Sequence, residues 1–181
     1  MATYVNSFFE TRLEQLFTLP QVLERAFASA GIEYRVVGGL AACLYVEERE
    51  PDAGRLTKDI DITVRREDLA AIAKAVEPFG LQYRHVAGID MLVQVGQPSA
   101  RRAVHMIFSG EAAPEIGECR ILQGVRLAPV EDLIRMKLTS FRSKDETHLK
   151  DLDEAGVITP EIEPKLSPIQ QERLRQMRSR T

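Results

Sequence analysis

The chain carries two cysteines, Cys43 and Cys119, in 181 residues. That is too few for a disulfide framework and fits a reducing, cytoplasmic setting. Long apolar runs are missing as well. Met1 to Leu19 mixes Asn6, Glu10, Arg12 and Glu14 among its apolar residues, so neither a membrane span nor a signal peptide is expected. The three histidines, His85, His105 and His148, show no metal-ligand spacing and give no ground for a zinc site. There is no internal repeat and no low-complexity tract. An excess of one charge is also lacking: a net charge of −3 argues against strong non-specific nucleic-acid binding over the whole surface, while leaving room for a local basic groove.

What remains is an ordinary globular composition, 44% hydrophobic and 28% charged, long enough to bury a substantial core. A single domain over 1–181 is expected, with a core over about 30–128 and a helical C-terminal part over about 129–181.

The most informative stretch is Gly54 to Val64, GRLTKDIDITV. Ile60, Ile62 and Val64 alternate with Asp59, Asp61 and Thr63, the period of a strand with one buried face. Both carboxylates would then share a face, about 7 Å apart along the strand. Like charges this close repel, and a divalent cation relieves that cost. Mg²⁺ suits such a pair, because it takes one or two carboxylates plus substrate phosphates. An Asp-x-Asp metal site for phosphoryl or nucleotidyl transfer is one reading. A solvated strand face with two acidic residues is the other.

The segment upstream weighs between them. Tyr34 to Val37 reads as a strand, Gly38 and Gly39 break it, and Leu40 to Tyr45 read as a buried helix in which Cys43 is a small core residue. Glycines there let backbone approach a ligand, and a helix N-terminus offers N–H groups to phosphate. Val46 to Ala53 reads as a charged loop leading to Arg55, Thr57 and Lys58.

Elsewhere, Phe8, Phe9, Leu13, Leu16 and Phe17 suggest an amphipathic helix, interrupted by Pro20 before a second over 21–30. Arg65 to Pro78 reads as a helix; Gln82 to His85, Asp90 to Val95, Arg102 to Phe108 and Cys119 to Leu122 read as strands; Gly124 turns into Val125 to Leu127. Pro129 opens a helix through Phe141, in which Lys137 lies among apolar positions, one reading being a lysine that snorkels with its stem on the core. Lys144 to Ala155 forms another helix, on which Lys144 and Asp145 read as part of a solvated face. A last helix, Ile169 to Arg180, carries Arg173, Arg175, Arg178 and Arg180, a basic stretch that reads either as a frayed terminus or as a contact for RNA or an acidic partner.

Gly38, Gly39, Ala41 and Tyr45, then Arg55, Thr57, Asp59, Ile60, Asp61 and Ile62, and later Glu131 to Asp145 with His148, Asp151 and Leu152, together resemble the polymerase-beta-like nucleotidyltransferase superfamily. The pattern is similar in particular to small bacterial AbiEii-type toxin-like members. The resemblance spans roughly residues 30 to 155. It implies an α+β fold, a small mixed β-sheet flanked by helices with a helical C-terminal part. It also implies a metal-dependent transfer of NMP from an NTP to an acceptor hydroxyl on RNA, protein or a small molecule. Asp59 and Asp61 would hold Mg²⁺, with Mn²⁺ as the alternative. Gly38, Gly39, Arg55, Thr57 and Lys137 would bind the nucleotide, and Arg142, Lys144, Asp145 and Asp151 would border the cleft. An antitoxin or regulatory partner is expected in such a system. One departure stands out: the family pattern has an aspartate where this chain has His105. The imidazole would be a substitute base, a ligand of an altered metal site, or a satisfied polar residue in a catalytically impaired binding or regulatory protein.

Overall fold

The computed structural model describes residues 16, 18–57, 59–96 and 103–180. The expected aromatic stripe at Phe8, Phe9, Leu13 and Phe17, and also Lys58 and Arg102, lie outside these; Leu16 is helical and buried.

Helix α1 is described over residues 18–30 and runs through Pro20 without interruption. Strand β1, Tyr34–Val37, leads directly into α2, Gly38–Arg49. The helix continues through Val46 to Arg49, where the charge pattern suggested a loop. One reason is packing: Val46 is buried and keeps that turn on the core. The loop that follows is shaped by Glu47, whose carboxylate accepts from the backbone N–H of Asp52 and of Gly54.

Strand β2, Ile60–Val64, is followed by α3, Leu69–Val76, which is bracketed by single 3₁₀ turns. Then come β3, Leu81–Val86, β4, Ile89–Gln94, and β5, Val104–Phe108. The hairpin β6, Arg120–Leu122, and β7, Val125–Leu127, precedes α4, Val130–Ser140, α5, Ser143–Glu154, and α6, Pro168–Ser179.

The seven strands form one mixed sheet in the order β3-β4-β5-β2-β1-β7-β6. Strand β2 is central: it runs antiparallel to β1 and parallel to β5. Its Ile60, Ile62 and Val64 are buried in the main core with Leu40, Ala41 and Leu44 of α2. Burying side chains of this size stabilises by roughly 1.5–3 kcal/mol each, and a one-residue slip would forfeit all three. The opposite face of β2 is not uniformly polar. Thr63 is buried beside Arg35 of β1, whose guanidinium donates to the carbonyls of Gly117 and Glu118. The segment before β6 thus covers this face, and Asp61 remains nearer the open end. The Tyr45 hydroxyl donates to the Ala128 carbonyl at 2.7 Å and ties α2 to the approach to α4.

Helix α2 packs against β1, β2, α4 and α5, and α6 packs on α4 and α5. The C-terminal third therefore lies over the helix that starts at the Gly-Gly turn. Among the described residues no helix is long and apolar enough to cross a membrane.

Candidate active site

The Gly-Gly turn and the aspartate strand meet because β1 and β2 pair. Val37, the last residue of β1, lies opposite Asp61. Gly38 then turns the chain with φ +70°. A Cβ on Gly38 would sit 2.0 Å from Oδ2 of Asp61 and 2.8 Å from its Cγ, so the carboxylate lies against bare backbone. A Cβ on Gly39 would sit 2.5 Å from Oγ1 of Thr57 and 3.3 Å from Cε1 of His148. No side chain caps the α2 N-terminus and its first turn has no acidic residue. Its leading N–H groups and positive dipole end accordingly stand beside Asp61.

Asp61 is also paired in register with His105 on β5, and Nδ1 of His105 lies 3.5 Å from Oδ1 of Asp61. Both side chains are about one-fifth exposed, at 21% for Asp61 and 23% for His105. Asp59 does not sit in the ladder; β2 begins one residue later, and Asp59 is half-buried at its mouth. The Thr57 hydroxyl donates to the Asp59 carbonyl at 3.3 Å, which fixes the entry of the strand.

Among the described residues, no group of three or more His, Cys, Asp or Glu side chains is arranged to hold a metal ion. The donors that the structure brings together are one carboxylate, Asp61, and one imidazole, His105; a carboxylate of this kind suits a hard cation whose other ligands are phosphate and water oxygens. The two donors do not make a preformed cage. The nitrogen donor of His105 shifts the preference from Mg²⁺ toward Mn²⁺.

Lys137 closes the cleft from α4. It does not snorkel: the whole residue is only 4% exposed. Its Nζ lies 2.8 Å from Nδ1 of His148 and 3.7 Å from Oδ1 of Asp145. Burial pushes its pKa down to about 8, against the pull of Asp145 and Asp61. Asp145 does not lie on a solvated face either; it is buried. Its Oδ2 accepts from the Ser140 hydroxyl at 2.7 Å and from Nε of Arg142 at 2.9 Å. Burial alone would raise its pKa, but these hydrogen bonds and Lys137 lower it. Burial, then the Lys137 charge, pushes His148 down to about 4, so the ring is neutral. His148 was named in the sequence resemblance but was given no role there. The available signal was its position three residues after Asp145 and one before the buried Leu149, on the inner side of α5.

Arg55 reaches α5 instead of the glycine turn. Its Nε lies 2.8 Å from Oδ2 of Asp151, with the arginine side chain 64% exposed and the aspartate 12%. The structure therefore brings together Gly38, Gly39, Thr57, Asp61, His105, Lys137 and His148. Asp59 stands at the mouth, and Arg55 with Asp151 borders it.

No protein-family model matches the sequence, and no curated protein matches it. Solved structures do. An antigenic nucleotidyltransferase-like protein from Paracoccidioides brasiliensis is similar at 20% identity and a TM-score of 0.59, over 92% of this chain and 88% of that one. The antibiotic-resistance factor ANT(2'')-Ia is similar at 19% identity and a TM-score of 0.54, over 91% of each chain. The same factor in complex with adenylyl-2''-tobramycin gives 17% identity and 0.54, over 91% of this chain and 97% of that one. The chain has the nucleotidyltransferase fold, a mixed sheet flanked by helices.

Proposed function

We propose that the chain is a metal-dependent nucleotidyltransferase that binds an NTP across the glycine turn and moves its NMP to an acceptor hydroxyl. The observation that carries this reading is the contact of the Asp61 carboxylate with the bare backbone of Gly38, at an uncapped helix N-terminus. Phosphate oxygens would meet the first N–H groups of α2 and the ammonium of Lys137, with Gly39 and Thr57 shaping the floor. Asp59 and Asp61 would hold Mg²⁺ or Mn²⁺, which when bound would neutralise and orient the triphosphate. In the transfer, the acceptor oxygen bonds to the α-phosphorus and the bond to the departing pyrophosphate breaks. The acceptor's proton passes to a base at the Asp61–His105 pair.

RNA, a protein or a small molecule is the candidate acceptor class, and a toxin–antitoxin setting with an antitoxin or regulatory partner is the candidate context. Arg55 belongs to this reading as a phosphate ligand only if the incoming charge displaces Asp151.

The test is calorimetric binding of ATP with Mg²⁺ and with Mn²⁺ to the wild type and to Asp61→Asn. Metal-dependent binding that the variant loses supports the reading; no binding with either ion rejects it. A second reading is favoured by His105: a protein that binds nucleotide but lacks catalysis because an imidazole replaces a carboxylate. His105→Asp separates the two. Turnover in the wild type favours the enzyme, and turnover only in the variant favours the binding protein.

A further inference from the structure

We propose that His148 is a positioning residue, whose neutral Nδ1 accepts a hydrogen bond from Lys137 and holds that ammonium beside the glycine turn. What the ammonium is held for rests on the proposed nucleotide site; the positioning itself stands on geometry.

An ammonium has three N–H donors and no acceptor. Among the described residues, the Nζ of Lys137 meets Nδ1 of His148 at hydrogen-bond length, 2.8 Å, while Oδ1 of Asp145 is farther off at 3.7 Å. Asp145 is committed elsewhere, through Oδ2, to Ser140 and to the side chain and backbone of Arg142. Asp145 thus supplies counter-charge, and the direction of the ammonium is set by the ring. The ring is itself confined. Its Cε1 lies where it would touch any Cβ on Gly39, so one imidazole spans from the first turn of α2 to the lysine on α4.

The hydrogen bond also fixes the tautomer. Nδ1 accepts only if the ring is neutral with its proton on Nε2. A protonated ring would turn a donor toward a cation. The charged groups acting on the lysine and the ring are Asp61 from β2 and Arg142, Lys144, Asp145 and Asp151 from α5 and its N-cap. At neutral pH His148 is therefore an acceptor, and it takes no part as an acid or base.

The test uses the full chain with His148→Asn, which keeps an acceptor near the Nδ1 position, and His148→Leu, which fills the space without one. His148→Phe stands in should leucine fail to fold. The Lys137 side-chain resonance, assigned with Lys137→Met, is titrated by NMR, and ATP with Mg²⁺ is titrated by calorimetry. In the wild type the lysine titrates near 8. It stays there in the asparagine variant. In the leucine variant it falls by about one unit, because the charged form loses its hydrogen bond. ATP affinity drops about tenfold with leucine, the worth of one hydrogen bond to a charged group, and less than about threefold with asparagine. An unchanged lysine titration in the leucine variant overturns the proposal, as do equal losses in both folded variants. If the wild type binds no nucleotide, the proposed function fails while the lysine titration still decides the role of His148.

Discussion

Two regions of the molecule handle charge in opposite ways. On the outer face of the C-terminal third, charges meet at the solvent edge. Arg178 forks onto Asp153 at 2.7 and 2.8 Å and reaches Glu163 at 2.6 Å, Arg180 pairs with Glu146, and Lys165 pairs with Glu131. In the cleft, Lys137 and Asp145 are each 4% exposed, and an imidazole between the lysine and the glycine turn is kept neutral. Exposed pairs cost little and return little. A buried ammonium is costly and is retained most readily where a ligand will meet it. The contrast separates charges settled at the solvent edge from charges held in the interior, and the proposed function gives the second group a use.

The comparison breaks most forcefully at glycine. Gly38 and Gly88 both have positive φ, at +70° and +78°, but a Cβ on Gly88 meets nothing within 4 Å. Gly88→Ala should cost about 1–2 kcal/mol, the left-handed penalty alone. Gly38→Ala adds a clash with Asp61 and should cost about 2–5 kcal/mol. Urea unfolding of both variants checks this, and equal losses would mean that Asp61 simply swings away from the turn.

Lys137→Met should move stability the other way. A pKa pushed from 10.5 to about 8 means that the ammonium form costs on the order of 3 kcal/mol in the fold. Asp145 keeps Ser140 and Arg142 as partners, so removing the lysine does not strand it. The variant should be more stable at pH 7 by roughly 2–3 kcal/mol and should lose ATP binding. A less stable variant would show that the lysine is there for the fold. The sign also appears in pH. The wild type should gain stability as pH rises from about 8 to 10.5, where the unfolded chain holds a proton the fold has released. Lys137→Met should lack that rise.

The sequence made the strand-borne half of this cleft legible and left the helical half obscure. Tyr34–Val37 and the alternation through Val64 could be read because β-strand periodicity reports burial directly, and the glycine pair because backbone conformation narrows the choice of residue. Asp145 was misjudged as solvent-facing, and Lys137 was left open between core and cleft, for a common reason. Helical periodicity marks an inner face, but whether a charge on that face is buried depends on what the next helix brings. Here α4 and α5 bring the lysine, the aspartate and a histidine together across a short turn at Phe141, which adopts φ +46°. The partner of Arg55 could not be read from the sequence, because Asp151 is 96 residues away.

The His148 contrast is next in size. Its folded pKa of about 4 lies below the ordinary 6.5, so the unfolded state binds a proton across that window and the fold does not. Stability is fully present above pH 6.5 and is lost as pH falls toward 4. The ring is only partly buried, so the loss is about 2 kcal/mol after solvent screening. His148→Leu should flatten that part of the acid unfolding profile. An unchanged profile would move the acid sensitivity to other groups.

The smallest effect tests the outer face. Arg178→Ala removes a forked pair on a side chain that is 35% exposed, and should cost about 1 kcal/mol at low salt, the upper end for a surface pair. Raising the salt to 1 M should shrink that cost toward zero, because the Debye length falls to about 3 Å. Arg175→Ala, on a side chain 69% exposed, should cost almost nothing. These pairings bear on the C-terminal arginines as an RNA contact. Arg173 donates to the carbonyls of Leu138 and Thr139 and closes the end of α4, and Arg178 and Arg180 are answered by carboxylates. Truncation at Pro168 would therefore also strip Leu174 and Met177 from the core, and a loss of RNA binding would report unfolding. Single arginine variants keep the fold. If Arg175→Ala lowers RNA affinity with no change in stability, the outer face serves a partner as well as the fold; if only Arg178→Ala has any effect, and only on stability, its charges are structural.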